Sequence, residues 1–252
     1  MDDTAVVSLE PGYGRELRLL GHFHLAGTQK SALGSAGQRL VALLAIHEGV
    51  MVRWQVAQLL YPDGDEVHAA ANLRAALWRL QRCRPDVLIA SATEIRLMIG
   101  LEVDYWTAMR TARALLGGSG ACDTEKIALA MSANLRDDLL PGWPESWLVS
   151  ERESFHQLRL HALEVLCAKL TSCGWYGAAV DSGLAAVRGD PLRESARCAL
   201  IDAYLAEGNS REALRQFEVF RTLLQAELGL QPSGTLQRKV AGVIDLRSSK
   251  LN

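Results

Sequence analysis

The sequence predicts a mainly α-helical protein in which a small α+β domain precedes an all-helical domain. Two observations support this fold class. Up to about residue 103, short segments with strand-like alternation flank three segments with helical periodicity. Beyond that point every periodic segment is helical, and the spacing of several glycines and apolar residues repeats. We therefore predict two domains, residues 1–103 and residues 104–252.

The order of the amino-terminal elements is typical of a winged helix-turn-helix domain. After a strand over Leu17–Leu25, a helix starts at Ser35, whose hydroxyl we expect to form a capping box with Gln38, and ends at Gly49. The following predicted elements are the helices Trp54–Tyr61 and Glu66–Arg84, and a hairpin of Val87–Ile89 with Ile95–Ile99. In such domains the third helix enters the major groove, and the hairpin, called the wing, reaches the flanking DNA.

The third predicted helix has two chemically different faces. Its apolar stripe consists of Ala70, Leu73, Leu77 and Leu80, and the opposite face carries His68, Asn72, Ala75, Arg79 and Arg82. Apart from Glu66 at its start, the helix contains no acid. Small side chains allow close approach to DNA, and arginine supplies forked donors for phosphates and base edges. An ordinary solvated surface helix is the alternative interpretation.

Ten residues are candidates for DNA contact. Arg79 and Arg82 are central on the polar face, and Asn72 has the donor and acceptor needed to read adenine. Arg74 lies nearer the buried edge, where an ion pair within the domain is an equal alternative. The remaining candidates are His68 and Ala75 on the same helix, Arg53 and Trp54 at the start of the second helix, and Thr93 and Arg96 in the wing. For Trp78 we favour packing against the wing over a position that flanks the groove.

Composition restricts the function classes. The chain has 27 Lys and Arg against 29 Asp and Glu, a net charge of −2, so any DNA binding depends on a local patch. No catalytic constellation, phosphate loop or metal-ligand set is recognisable, which predicts neither an enzyme nor a cofactor. Five scattered cysteines without a CxxC pair predict reduced thiols and a cytoplasmic protein. The sequence contains no long apolar run and no signal-peptide pattern, so we expect no membrane association.

A repeat of 34 residues is present in the carboxy-terminal half. The segment Gly174–Ala179 aligns with Gly208–Ala213, and the same offset relates Leu166 to Leu200 and Leu170 to Tyr204. This period is typical of tetratricopeptide-like helix pairs, which stack into a curved array with a concave surface. The predicted helices are Tyr105–Leu116, Thr124–Leu135, Ser154–Ser172, Tyr176–Arg188, Leu192–Glu207, Arg211–Glu227 and Ser233–Leu246.

Several segments together resemble a known family. Gln38–Gly49 and Asn72–Arg82 are similar to the first and recognition helices of the OmpR-type winged helix in Streptomyces antibiotic regulatory proteins. Leu139–Arg152 (LLPGWPESWLVSER) resembles the start of their bacterial transcriptional activation domain, and Asp190–Glu194 and Glu227–Pro232 resemble its helix-pair junctions. The resemblance implies an activator that binds direct repeats in promoters, usually as a homodimer. It also implies two partners, double-stranded DNA and RNA polymerase.

Two other functions stay open at this point. The wing turn Ala90–Glu94 (ASATE) is neutral to acidic, which favours a protein-interaction scaffold whose winged helix has lost DNA binding. The concave surface of the helical array also allows regulation by a small molecule, although no residue pattern identifies a ligand.

Overall fold

In the computed structural model, the described residues are 16–27, 33–117 and 133–248, together with Ile127, Ala130 and Met131. They form two compact units, residues 1–105 and 106–252. Residues 1–15 and most of the predicted helix Thr124–Leu135 lie outside the described residues. The observed fold confirms the predicted class, an amino-terminal winged helix-turn-helix followed by an all-helical domain.

The first unit is built on three helices with a shared apolar core. They are α1 (Ser35–Ile46), α2 (Arg53–Leu60) and α3 (Glu66–Cys83). The buried residues that they contribute include Leu40, Leu43 and Leu44 from α1, Val56 and Leu60 from α2, and Leu73, Leu77 and Leu80 from α3. Their spacing of three and four residues places them on one side of each helix, so apolar burial holds the three helices together.

Two small sheets complete the first unit. The strands are β1 (Glu16–Arg18), β2 (His24–Leu25), β3 (Met51–Val52), β4 (Leu88–Ala90), β5 (Glu94–Leu97) and β6 (Glu102–Val103). The first sheet has the order β2-β1-β6, with β1 antiparallel to β2 and parallel to β6. The second has the order β3-β5-β4 and is antiparallel, with Ile89 opposite Arg96 and Ala90 opposite Ile95. The pairing of β4 with β5 confirms the predicted wing.

The beginning of the chain differs from the sequence prediction in two places. The predicted strand Leu17–Leu25 is divided into β1 and β2, because the chain reverses at Gly21, whose φ of 78° suits glycine. The predicted capping box at Ser35 is wrong. Gly34 is the N-cap of α1 without a side-chain cap, and the Gln38 amide instead donates to the carbonyl of Leu33 at 2.9 Å.

The predicted end of α1 also moves. The helix stops at Ile46, and the residue with a left-handed conformation is Glu48, with φ of 40°, rather than Gly49.

Two polar side chains fasten the segments that follow β1 and β2. The guanidinium of Arg84 is buried and donates to the carboxylate of Asp86 at 2.9 Å and to the carbonyl of Ala26 at 2.5 Å. The carboxylate of Asp104 accepts from the backbone N–H groups of Leu19 and Leu20 at 2.8 and 3.1 Å. Burial raises the pKa of Asp104 above its usual value despite these hydrogen bonds.

The described part of the second unit consists mainly of helices. Its helices are α4 (Asp104–Leu116), which starts in the first unit, α5 (Ser146–Ser172), α6 (Tyr176–Gly189), α7 (Glu194–Glu207), α8 (Ser210–Leu228) and α9 (Gly234–Ser248). Five of the predicted helices are recovered nearly to the residue. The exception is α5, which starts eight residues before the predicted Ser154.

The 34-residue repeat is visible in the hydrogen bonds of two helix junctions. Gly174 and Gly208 both adopt positive φ, 76° and 87°, where a helix ends and reverses. The N–H of Trp175 donates to Leu170 at 2.9 Å, and the N–H of Asn209 donates to Tyr204 at 2.8 Å. The repeat in sequence is therefore a repeat in geometry, because glycine at this position avoids the steric cost of a left-handed backbone.

The core of the second unit lies between its helix pairs. One cluster of buried residues contains Leu200, Ile201, Tyr204, Ala213, Phe220, Leu224, Leu236 and Val240. Before α5, the loop is held by Arg152, whose guanidinium donates to the carbonyls of Leu139, Leu140 and Trp143 at 2.8–3.0 Å. The segment Leu139–Arg152, which resembles the start of the activation domain, thus forms a compact loop in which Leu139 and Leu140 are buried.

The cysteines differ in state. Cys83, Cys167 and Cys198 are free thiols, whereas Cys173 is disulfide-bonded, so the prediction that all cysteines are reduced is wrong at this residue. Within the described part of the chain, no helix has both the length and the apolar content needed to cross a membrane. In that same part, no group of three His, Cys, Asp or Glu side chains could hold a metal ion.

Candidate nucleic-acid interface

The polar face of α3 is exposed to solvent. Its exposed residues include all six predicted DNA-contact candidates on the helix, which are His68, Asn72, Arg74, Ala75, Arg79 and Arg82. The helix starts at an N-cap, Asp65, whose carboxylate accepts from the backbone N–H and the ring Nδ1 of His68, both at 2.8 Å. These hydrogen bonds lower the pKa of Asp65, with the one from the backbone the largest contribution. A negative N-cap favours the helix and fixes the position of its first turn.

The buried side of α3 is rotated from the predicted one. Ala69 and Ala76 are buried, whereas Ala70, which was predicted in the stripe, is half-buried. With a turn of 100° per residue, the mean direction of the buried residues differs from that of the predicted stripe by about 40°. As a consequence, Ala71 and Trp78 lie near the middle of the exposed face. The alanines gave no signal for this rotation in the sequence, since Ala71 and Ala75 are exposed whereas Ala69 and Ala76 are buried.

The arginines on this surface have no carboxylate partners among the described residues. Arg79 donates from Nε to the carbonyl of Ala75 at 3.1 Å, and the guanidinium of Arg82 lies 4.7 Å from the ring centre of Trp78. Arg74 and Arg96 take part in no ion pair with any described residue. For Arg74, no carboxylate among the described residues supports the alternative of an ion pair within the domain. All four guanidinium groups keep donors that a phosphate or a base edge can use.

The second helix and the wing meet at Arg53. Its backbone N–H donates to the carbonyl of Thr93 at 2.8 Å, and its guanidinium donates to the carbonyl of Ser91 at 2.6 Å. Arg53 is half-buried and fixes the wing turn against the start of α2. Trp54 beside it is 54% exposed. Arg53, Trp54 and Arg74 line one cavity of about 370 Å³ together with Ala92 of the wing turn.

The position of Trp78 differs from the predicted one. Its indole does not pack on the wing but is 60% exposed beside Arg82. Together with Arg79 and Arg82 it lines a second cavity of about 430 Å³, whose other wall is the start of α1 at Gly34–Gly37. The ten predicted residues therefore fall into two groups on the first unit. One group lies along α3, and the other lies where α2 meets the wing.

Comparison with known proteins identifies the second unit. Residues 107–243 match the family model of the bacterial transcriptional activator domain, which is more than half of the chain. Of the curated proteins, the regulatory protein AfsR of Streptomyces coelicolor is 28% identical over 218 residues, which cover 82% of this chain. The chain spans 22% of the length of that relative.

A solved structure has the same fold. Mycobacterium tuberculosis EmbR, in complex with a low-affinity phosphopeptide, superposes with a TM-score of 0.69 at 20% sequence identity. The superposition covers 92% of this chain and 65% of that one. The chain thus belongs to the bacterial transcriptional activator domain family, and these comparisons confirm the predicted resemblance to Streptomyces antibiotic regulatory proteins.

Proposed function

We propose that this regulator binds double-stranded DNA sequence-specifically through α3 of its first unit and activates transcription from promoter repeats. The observation that carries the proposal is the exposed face of α3, on which Asn72, Arg79 and Arg82 project from the core. A helix fits the B-DNA major groove, which is about 12 Å wide. On this helix the groove would meet small, amide and guanidinium side chains.

Charge distribution supports the proposal despite the net charge of −2. In the described residues of α3 the one acid, Glu66, is in the first turn, and the arginines follow at positions 74, 79 and 82. Because these arginines form no ion pairs with the described residues, binding DNA breaks no salt bridge within that part of the chain. Each phosphate contact then contributes affinity through the release of counterions.

Each candidate residue has a role that matches its position. Asn72 can make two hydrogen bonds to adenine, and Arg79 can contact guanine or a phosphate. Ala75 between them allows the helix backbone to approach the bases. His68, Arg74 and Arg82 lie on the sides and ends of this face and are assigned to phosphates. Trp54, Thr93 and Arg96 are assigned to the flanking backbone, with Arg53 holding the wing in place.

The family of the second unit supports the remaining steps of the proposed function. A transcriptional activator domain next to a DNA-binding unit suits a protein that binds repeated promoter sites as a dimer and recruits RNA polymerase. Binding two half-sites adds the affinity that a nearly neutral monomer lacks.

Selection from random DNA with the purified full chain tests the proposal. We expect one enriched motif, and we expect Arg79→Ala to weaken binding of that duplex by about 1–3 kcal/mol if Arg79 reads a base. Arg211→Ala is the matched control, because Arg211 is an exposed helical arginine of the second unit and forms no ion pair with a described residue. It should bind like the unchanged protein. Equal binding by both variants would contradict the role of Arg79.

The scaffold function is the main competing proposal. It is motivated by the wing, where Glu94 is exposed and Arg96 is the nearest cation on the paired strands. A scaffold predicts that no DNA motif is enriched in the selection, whereas DNA recognition by α3 predicts enrichment even if the wing makes no contact.

A further inference from the structure

The middle of the exposed face of α3 is apolar. Val67, Ala71, Ala75 and Trp78 follow one another at spacings of four, four and three residues and so lie on one side of the helix. We refer to these four residues as the apolar crest. All four are exposed, and the two large ones, Val67 and Trp78, are 73% and 60% exposed. They add nothing to the core of the unit, so their apolar surface is available to a partner.

Cations flank the apolar crest on both sides. Asn72 and Arg79 lie along one edge, Arg74 lies along the other, and Arg82 extends the crest by one turn beyond Trp78. Beyond Glu66 in the first turn, α3 carries no carboxylate. A ridge with this pattern is complementary to a surface that is apolar along its centre line and negative on both sides. The charges therefore favour nucleic acid over an apolar protein surface as the partner.

The major groove of DNA offers one apolar group, the C5-methyl group of thymine. We propose that the apolar crest reads thymine methyl groups, so that the site bound by α3 contains thymines opposite these residues. From Val67 to Trp78 the crest is about 16 Å long, which corresponds to about five base pairs. This inference rests on the proposed DNA binding and adds which base feature is read.

The stacked pair at the end of the crest supports the assignment. The guanidinium of Arg82 lies 4.7 Å from the centre of the Trp78 ring, within the range of a cation–π contact. This contact orders a large side chain that is 60% exposed. An ordered indole loses less conformational entropy on binding than a free one, so it is suited to contact a methyl group.

Removal of the methyl group from the DNA tests the inference without changing the protein. The duplex selected by the full chain is resynthesised with deoxyuridine in place of thymine, one position at a time, and each version is titrated by fluorescence anisotropy. We expect binding to weaken about fourfold for each methyl group that the crest contacts. In the Val67→Ala and Trp78→Ala variants the difference between thymine and uracil should shrink at particular positions.

Val219→Ala is the control, because Val219 is an exposed helical valine of the second unit. It should leave every thymine-to-uracil difference unchanged. If the selected duplex binds equally well with uracil at every position, or contains no thymine, the crest does not read methyl groups although DNA binding stands. If no duplex is enriched at all, the inference and the proposed function both fail, and the crest is left to a protein partner.

Discussion

The two units carry similar densities of charge along the chain but use their charges in different ways. In the second unit, described ion pairs join separate segments, as Arg193 does with Glu164 at 2.5 Å and Lys239 with Asp202 at 2.6 Å. In the first unit, the described arginines on α3 and the wing have no such partners. Net charge therefore says little about function here. What distinguishes the units is whether an arginine is already bound to a carboxylate of the same chain.

The largest effect is expected at a paired arginine of the second unit. Arg159 is 1% exposed, and its Nε donates to Asp138 at 2.9 Å. In Arg159→Ala, Asp138 loses that partner and a cavity remains, so we expect a loss of about 2–3 kcal/mol in the free energy of unfolding. This loss is smaller than that for a fully buried ion pair, because Asp138 is 41% exposed and solvent screens its charge. Urea denaturation measures the effect, and a loss below about 1 kcal/mol would show that the pair is not structural.

An unpaired arginine of the first unit should behave in the opposite way. We expect Arg82→Ala to change the free energy of unfolding by less than about 0.5 kcal/mol, since its side chain is exposed. Its effect should be on DNA, with weaker binding and a salt slope reduced by about one if Arg82 contacts a phosphate. Titrations over a range of salt concentrations measure the slope. An unchanged slope would remove Arg82 from the phosphate contacts.

Two glycines of the second unit sharpen the comparison within the repeat. Gly208 has φ of 87°, so Gly208→Ala should cost about 1 kcal/mol of stability, because a Cβ strains this backbone. Gly177 lies in the helix α6 with open space at its Cβ, and Gly177→Ala should stabilise the protein by about 0.5–1 kcal/mol. Thermal unfolding of both variants checks the opposite signs. A loss of stability in both variants would mean that helix packing, rather than backbone conformation, determines the effect of the added Cβ.

The smallest expected effect is a dependence on pH. Burial by itself would raise the pKa of Asp138, but hydrogen bonds and charge from His156 and Arg159 outweigh it, and the net pKa is lowered from 3.8. A lowered pKa means that the stabilisation is present above pH 3.8 and is lost as the pH falls through the lower value. The difference in unfolding temperature between the unchanged protein and Asp138→Asn should therefore shrink below pH 3.8. A difference that stays constant there would assign the pKa shift to another group.

The sequence predicted the parts of the fold that rest on long periodic patterns. The helices α1 to α3, the wing and the repeated turns at Gly174 and Gly208 follow from periodicity and turn residues. The two-residue strands β3 and β6 were not predicted, because a strand of that length has no alternation to detect and is defined by its partner. The role of Arg84, on the predicted third helix, depends on contact with Ala26, far away in sequence.

For the candidate site, the residue types could be predicted from the sequence, but their surroundings could not. The exposure of Arg79 depends on which side chains the fold brings near it. The same holds for Arg74, which forms no ion pair with a described residue. The position of Trp78 was wrong, because it depends on a rotation of α3 that is set by the burial of Ala69 and Ala76. The contact assignments of the ten residues stay predictions.

Charge reversal in each unit tests the central claim most directly. In one variant, glutamate replaces both Arg79 and Arg82. In the matched variant, glutamate replaces Arg188 and Arg211, two exposed arginines of the second unit. Both variants change the net charge equally, and both should keep a cooperative unfolding transition. If α3 binds DNA, the first variant loses binding to the selected duplex by more than about 100-fold, while the second changes several-fold at most. Equal losses in the two variants would contradict the account.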